Sequence, residues 1–107
     1  MRAAIQTGEV SPSELVQAHL AQIEAQNPRL NAFGTVYAES ALVAAAAVEA
    51  QLRNGVSLPL AGIPVTLKDS FDLAGQPTLC GSRYRLGHVA GADSTSAARL
   101  RAAGAIV

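Results

Sequence analysis

The residue best placed to do chemistry is a lysine. Lys68 stands near the end of the stretch Leu58-Pro59-Leu60-Ala61-Gly62-Ile63-Pro64-Val65-Thr66-Leu67-Lys68-Asp69, whose pattern from Gly62 onward is that of a strand. Successive strand residues point to opposite faces, so Ile63, Val65 and Leu67 share one face while Pro64, Thr66 and Lys68 share the other. An ammonium on an apolar strand must find a partner, pay a desolvation cost or lose its proton more readily. Such an amine can form a Schiff base with a carbonyl substrate or pyridoxal phosphate, yet no phosphate-cradling glycine loop directly follows Lys68. The residues alone leave a plainer reading equally open, in which the strand stops at Leu67 and Lys68-Asp69 is its solvated exit.

Other reactive side chains offer less. Cys80 is the single cysteine, which excludes an internal disulfide and argues against a zinc cluster. Neither His19 nor His88 stands in a context that would activate it as a nucleophile. His19 falls in an apolar helical stripe and reads as a packed histidine satisfied by a neighbour. Arg83, Arg85 and His88 read as surface charges of a loop. None of Ser70, Ser82, Ser94 and Ser96 has glycine on both sides, and Ser94 and Ser96 suit the first turn of a helix.

The 107 residues carry zero formal net charge and are half apolar, a length that suits one small domain. With no basic stripe to neutralise phosphates, direct nucleic-acid binding is not expected. No apolar run approaches membrane-spanning length and no charged-then-apolar leader opens the chain, so no membrane association and a cytoplasmic location are expected. Alanine is abundant and aromatics are few, which allows close packing but buries little area per residue. At about 25 cal/mol per Å² the isolated chain is expected to be marginal.

The elements that must position Lys68 are legible in order. Met1 to Thr7 suits a short helix closed by Gly8. Ser11-Pro12-Ser13-Glu14 is a capping box with proline at the first helical position, followed by Leu15, Val16, His19, Leu20 and Ile23 at helical spacing. Asn27-Pro28 should end that helix. A short strand is expected around Phe33 to Tyr37, then an Ala-rich helix from Ala38 to Arg53 stopped by Asn54-Gly55. Residues 70 to 92 form a long glycine-punctuated connection, which in a compact domain is usually functional or disordered. Asp93 should cap a helix running to Ala103 and closed by Gly104, before Ala105-Ile106-Val107 opens another strand. Together these make a β-loop-α-β unit with parallel strands and a right-handed connection.

The run Leu60-Ala61-Gly62-Ile63-Pro64-Val65-Thr66-Leu67-Lys68-Asp69 closely resembles the start of the catalytic core in the amidase signature family, whose pattern Gly-Ile-Pro-Val-x-Leu-Lys-Asp carries the catalytic lysine. Asn27-Pro28-x-Leu30-Asn31-Ala32-Phe33 resembles the N-terminal region of those enzymes. Thr78-Leu79-Cys80-Gly81-Ser82 resembles their Thr-x-x-Gly-Ser segment, which from the residues alone reads equally well as a glycine-rich turn. Asp93 with Arg99-Leu100 resembles a further segment, with Ser94 and Ala97 where the family has alanine and valine. The resemblance spans roughly residues 8 to 107.

The resemblance implies an α/β fold, with N-terminal helices plus the first strands of a mixed sheet in a truncated α/β/α architecture. Residues 1–107 then form the N-terminal part of one such domain. It implies hydrolysis of carbon–nitrogen bonds in amides by a serine, a second serine in a cis peptide, and a lysine, here Lys68, with no cofactor and no metal. Both serines belong to a glycine- and serine-rich run that this sequence does not contain, so the chain alone is expected to be inactive. The amide substrate and the residues that would bind it stay unassigned, as does the choice between a free amidase and the amidase subunit of a tRNA-dependent amidotransferase. The alternative is a non-enzymatic truncated module that self-associates, or pairs with a partner, through its unfinished sheet edge at Val107.

Overall fold

A computed structural model describes all residues from Met1 to Val107. It contains α1 (Arg2–Gln6), α2 (Pro12–Leu30), α3 (Ala38–Arg53) and α4 (Thr95–Ala102), with a 3-10 turn at Arg83–Arg85 between α3 and α4. The capping box forms as its residues require. Ser11 Oγ accepts from the Glu14 amide at 3.2 Å and the Ser11 amide donates to Glu14 at 2.8 Å, satisfying two otherwise unpaired donors. Gly8 takes a left-handed φ of 73° just after α1.

The helix α2 does not end at Asn27-Pro28 but continues through Pro28 to Leu30. Proline costs a helix one hydrogen bond, and here the loss falls in the last turn, where Asn27 secures the exit of the chain. Its side chain donates to the Phe33 carbonyl and accepts from the Phe33 amide, both at 2.9 Å. Asn31 then closes the helix in the left-handed conformation, its amide 2.7 Å from the Asn27 carbonyl. The strand expected around Phe33 to Tyr37 is absent, because this segment has no neighbouring backbone with which to form a ladder.

The core lies where α2 meets α3. Val16, Ala45 and Ile106 are buried together, with Leu20, Ala41, Leu42 and Ala44 packed around them. The alanines of α3 let the helices approach closely. The Ser13 amide donates to Glu49 at 2.8 Å, joining the start of α2 to the later turns of α3, so the pair runs antiparallel.

No β-strand is formed, and the expected sheet is represented by one parallel bridge between Pro64 and Ile106. The Val65 amide donates to the Ile106 carbonyl at 2.8 Å and the Ile106 amide to the Ile63 carbonyl at 2.9 Å. The two segments thus pair in the expected parallel sense. Glycines make the approach geometrically accessible. Gly104, at φ 89°, would place a Cβ 3.0 Å from the Ala61 Cα and 2.9 Å from Leu58 Cδ1. Gly62, at φ 73°, would place one 2.6 Å from Pro12 Cγ.

The helix α4 is capped by Ser94, whose hydroxyl accepts from the Ala97 amide, and not by Asp93. Asp93 sits one residue earlier and is occupied elsewhere. It receives Arg101 Nη1 at 3.1 and 2.9 Å and the Ala74 amide at 2.8 Å, tying the helix to the connection before it.

Candidate functional site

Lys68 closes the segment that pairs with Ile106. Its side chain is exposed and makes neither hydrogen bond nor ion pair within the chain. Its carbonyl accepts from Ser70 at 2.7 Å and Phe71 at 3.1 Å, so the backbone turns sharply immediately after it. The alternation read from the sequence survives in part: Ile63, Val65 and Leu67 are half-buried, and Thr66 and Lys68 are exposed. These residues therefore present an unpaired amine on the edge of the molecule.

The neighbouring loop is drawn onto this point. The Asp69 carboxylate accepts from the Leu79 amide at 3.0 Å and the Asp69 carbonyl from the Cys80 amide at 2.9 Å. Residues 79 to 82 make a tight turn, closed by the Ser82 amide on the Leu79 carbonyl at 2.8 Å. Cys80 and Gly81, at its centre, have φ of 52° and 68°, the pattern of a type I′ turn. The free Cys80 thiol is exposed. Thr78, just before the turn, is buried with 2% of its surface exposed.

Arg85 is no free surface charge. Its Nε donates to the Thr78 carbonyl at 2.8 Å, and its Nη2 lies 3.8 Å from Asp72. The sequence carried no signal for this bridge, because Asp72, Thr78 and Arg85 follow no regular spacing. Asp69 left a fainter one: a short acidic side chain at a turn readily accepts backbone amides. A second tie, a lone antiparallel bridge between Pro77 and Val89, draws the connection together. His19, by contrast, directs Nδ1 to the Leu15 carbonyl of its own helix at 2.8 Å, as a packed histidine would. No group of three or more His, Cys, Asp or Glu is arranged to hold a metal ion.

An apolar cleft of about 390 Å³ lies beside the lysine segment and not around Lys68 itself. Ile23, Phe33, Val36, Leu67 and Val107 are among its predominantly apolar lining. No helix is long and apolar enough to cross a membrane.

Comparison with known proteins identifies the architecture. The family model described as Amidase matches residues 14–107. The A-subunit of the glutamyl-tRNA(Gln) amidotransferase of Acidothermus cellulolyticus is 44% identical over 108 residues, covering all of this chain and 21% of the relative. The protein of the same name from Mycobacterium bovis is 47% identical, covering 97% of this chain and 22% of the relative. Among solved structures, the peptide amidase PAM in complex with the competitive inhibitor chymostatin superposes with a TM-score of 0.91 at 36% identity, over 99% of this chain and 22% of that one. A vestigial protein complex that bears on the evolutionary origins of an s-triazine catabolic enzyme gives a TM-score of 0.93 at 36% identity, over 97% of this chain and 23% of that one. The chain thus spans about a fifth of the length of the relatives it matches. With a family match across most of its residues, carried by the fold as well as the sequence, the chain belongs to the amidase signature family.

Proposed function

We propose that this chain is the lysine-bearing N-terminal portion of an amide-hydrolysing enzyme, and that Lys68 is its proton acceptor. In the Ser-cisSer-Lys mechanism a neutral lysine takes a proton through a bridging serine, so that the nucleophilic serine can attack the amide carbonyl. The observation that carries the reading is the unpaired Lys68 amine at the end of a segment matching the family's lysine motif. Burial of this edge by the remainder of an enzyme would supply the desolvation that lowers a lysine's affinity for its proton. Among the family's reactions, the names of the relatives at 44% and 47% identity favour the amidase subunit of a glutamyl-tRNA(Gln) amidotransferase.

The sequence holds no glycine- and serine-rich run of the kind that carries the family's two serines, so alone it should release no ammonia from a primary amide. In the complete enzyme, Lys68→Ala should lower kcat by at least about a thousandfold, near the scale of general-base catalysis. Lys68→Arg should not restore it, because guanidinium keeps its proton. Steady-state ammonia release checks both, and near-normal turnover of Lys68→Ala would overturn the assignment.

The exposed apolar cleft and the short bridge at Ile106 favour a second reading, a module that self-associates through this face. Sedimentation of the chain should then show association that grows with concentration. A monomer at every concentration would exclude it.

A further inference from the structure

Two features converge on the residue after Lys68. Asp69 grips consecutive amides of a distant loop with two different groups, its carboxylate on Leu79 and its carbonyl on Cys80. The gripped loop also holds a non-glycine residue, Cys80, in the left-handed region. That conformation is unfavourable for a side chain with a Cβ and persists only where the surroundings impose it. Here the Cys80 amide is held by Asp69 and the Ser82 amide by the Leu79 carbonyl, while Arg85 fixes the Thr78 carbonyl behind them. A strained turn is therefore clamped to the residue that directly follows the lysine.

We propose that Asp69 is a positioning residue: it latches the Thr78–Ser82 turn across the end of the lysine segment, so that the turn forms a wall of the site holding Lys68. The proposal rests on the reading of Lys68 given above and adds a working part to it. What the latch requires of Asp69 is an acceptor oxygen at a fixed distance from the backbone. Its negative charge is dispensable. An amide in the same place should serve, and a carboxylate one methylene further out should not.

Three variants test this. Hydrogen–deuterium exchange of the full chain, resolved at the Leu79 amide, reads the latch without reference to activity. Asp69→Ala and Asp69→Glu should speed exchange at Leu79 roughly tenfold, about the worth of one net hydrogen bond, and leave Val16 in the core unchanged. Asp69→Asn should stay within about twofold of the parent chain. In the complete enzyme, Asp69→Glu should lower kcat by roughly tenfold to a hundredfold with little change in KM, the scale of a misplaced catalytic group. Asp69→Asn should recover most of that loss. The proposal fails if Leu79 stays protected in Asp69→Glu, or if Asp69→Asn is as impaired as Asp69→Glu, since charge would then matter more than position. Asp69→Glu and Asp69→Asn decide the question even if Asp69→Ala does not fold. Full activity of Lys68→Ala would overturn the lysine assignment, and the exchange result would still judge the latch by itself.

Discussion

At the scale of single residues, the lysine and the turn beside it differ in how far their sequence announced them. Lys68 could be singled out because an apolar alternating segment makes a lysine conspicuous, and because the surrounding motif is specific. Its exposure was one of two readings the residues left open, since alternation tells which face a residue takes but not what covers that face. The strain at Cys80 was hidden for another reason. Nothing in Leu79-Cys80-Gly81-Ser82 requires a left-handed cysteine until Asp69 holds its amide. A β-branched residue tolerates that region still less, so Cys80→Val should destabilise the chain by about 1–2 kcal/mol, measurable by urea denaturation. An unchanged midpoint would mean that the turn relaxes without cost.

At the scale of elements, helix starts and stops governed by local chemistry were legible. The Ser11–Glu14 box, the α3 boundaries and the glycine after α1 all follow from neighbours in sequence. Where a boundary depended on a distant partner, the reading slipped. The α2 terminus moved because Asn27 bonds Phe33, and the α4 cap moved because Asp93 is engaged by Arg101 and Ala74. The start of α2 also carries a pH dependence. Ser11, first through its amide and then its hydroxyl, holds the Glu14 carboxyl below its usual 4.5, and the Ser13 side chain and amide do the same for Glu49. Carboxyls depressed in the folded state stabilise it above their unfolded value and lose that contribution as pH falls through their folded value. Thermal stability should therefore hold from neutrality to about pH 4.5 and decline below it, with a shallower decline in Glu49→Gln. Equal slopes for the two proteins would contradict the role given to Glu49.

At the scale of the whole molecule, the chain is a slab of 46 × 31 × 18 Å, with a radius of gyration of 14.7 Å. A compact chain of this length would have a radius of about 13 Å. Only 14 of the 107 residues are buried, which agrees with the thin core expected from so many alanines. Such a core depends on the few places where backbones touch, and Gly104 is the tightest of them against main chain. Gly104→Ala should cost about 1–3 kcal/mol, because it meets both the Ala61 backbone and a left-handed φ. The Pro64–Ile106 bridge beside it also has a consequence in time. The α2–α3 hairpin is local, whereas the bridge closes a long stretch of chain whose entropy must be met by contacts already made. The helices should therefore assemble early and the bridge late. In stopped-flow experiments Gly104→Ala should then chiefly quicken unfolding, leaving the refolding rate nearly untouched.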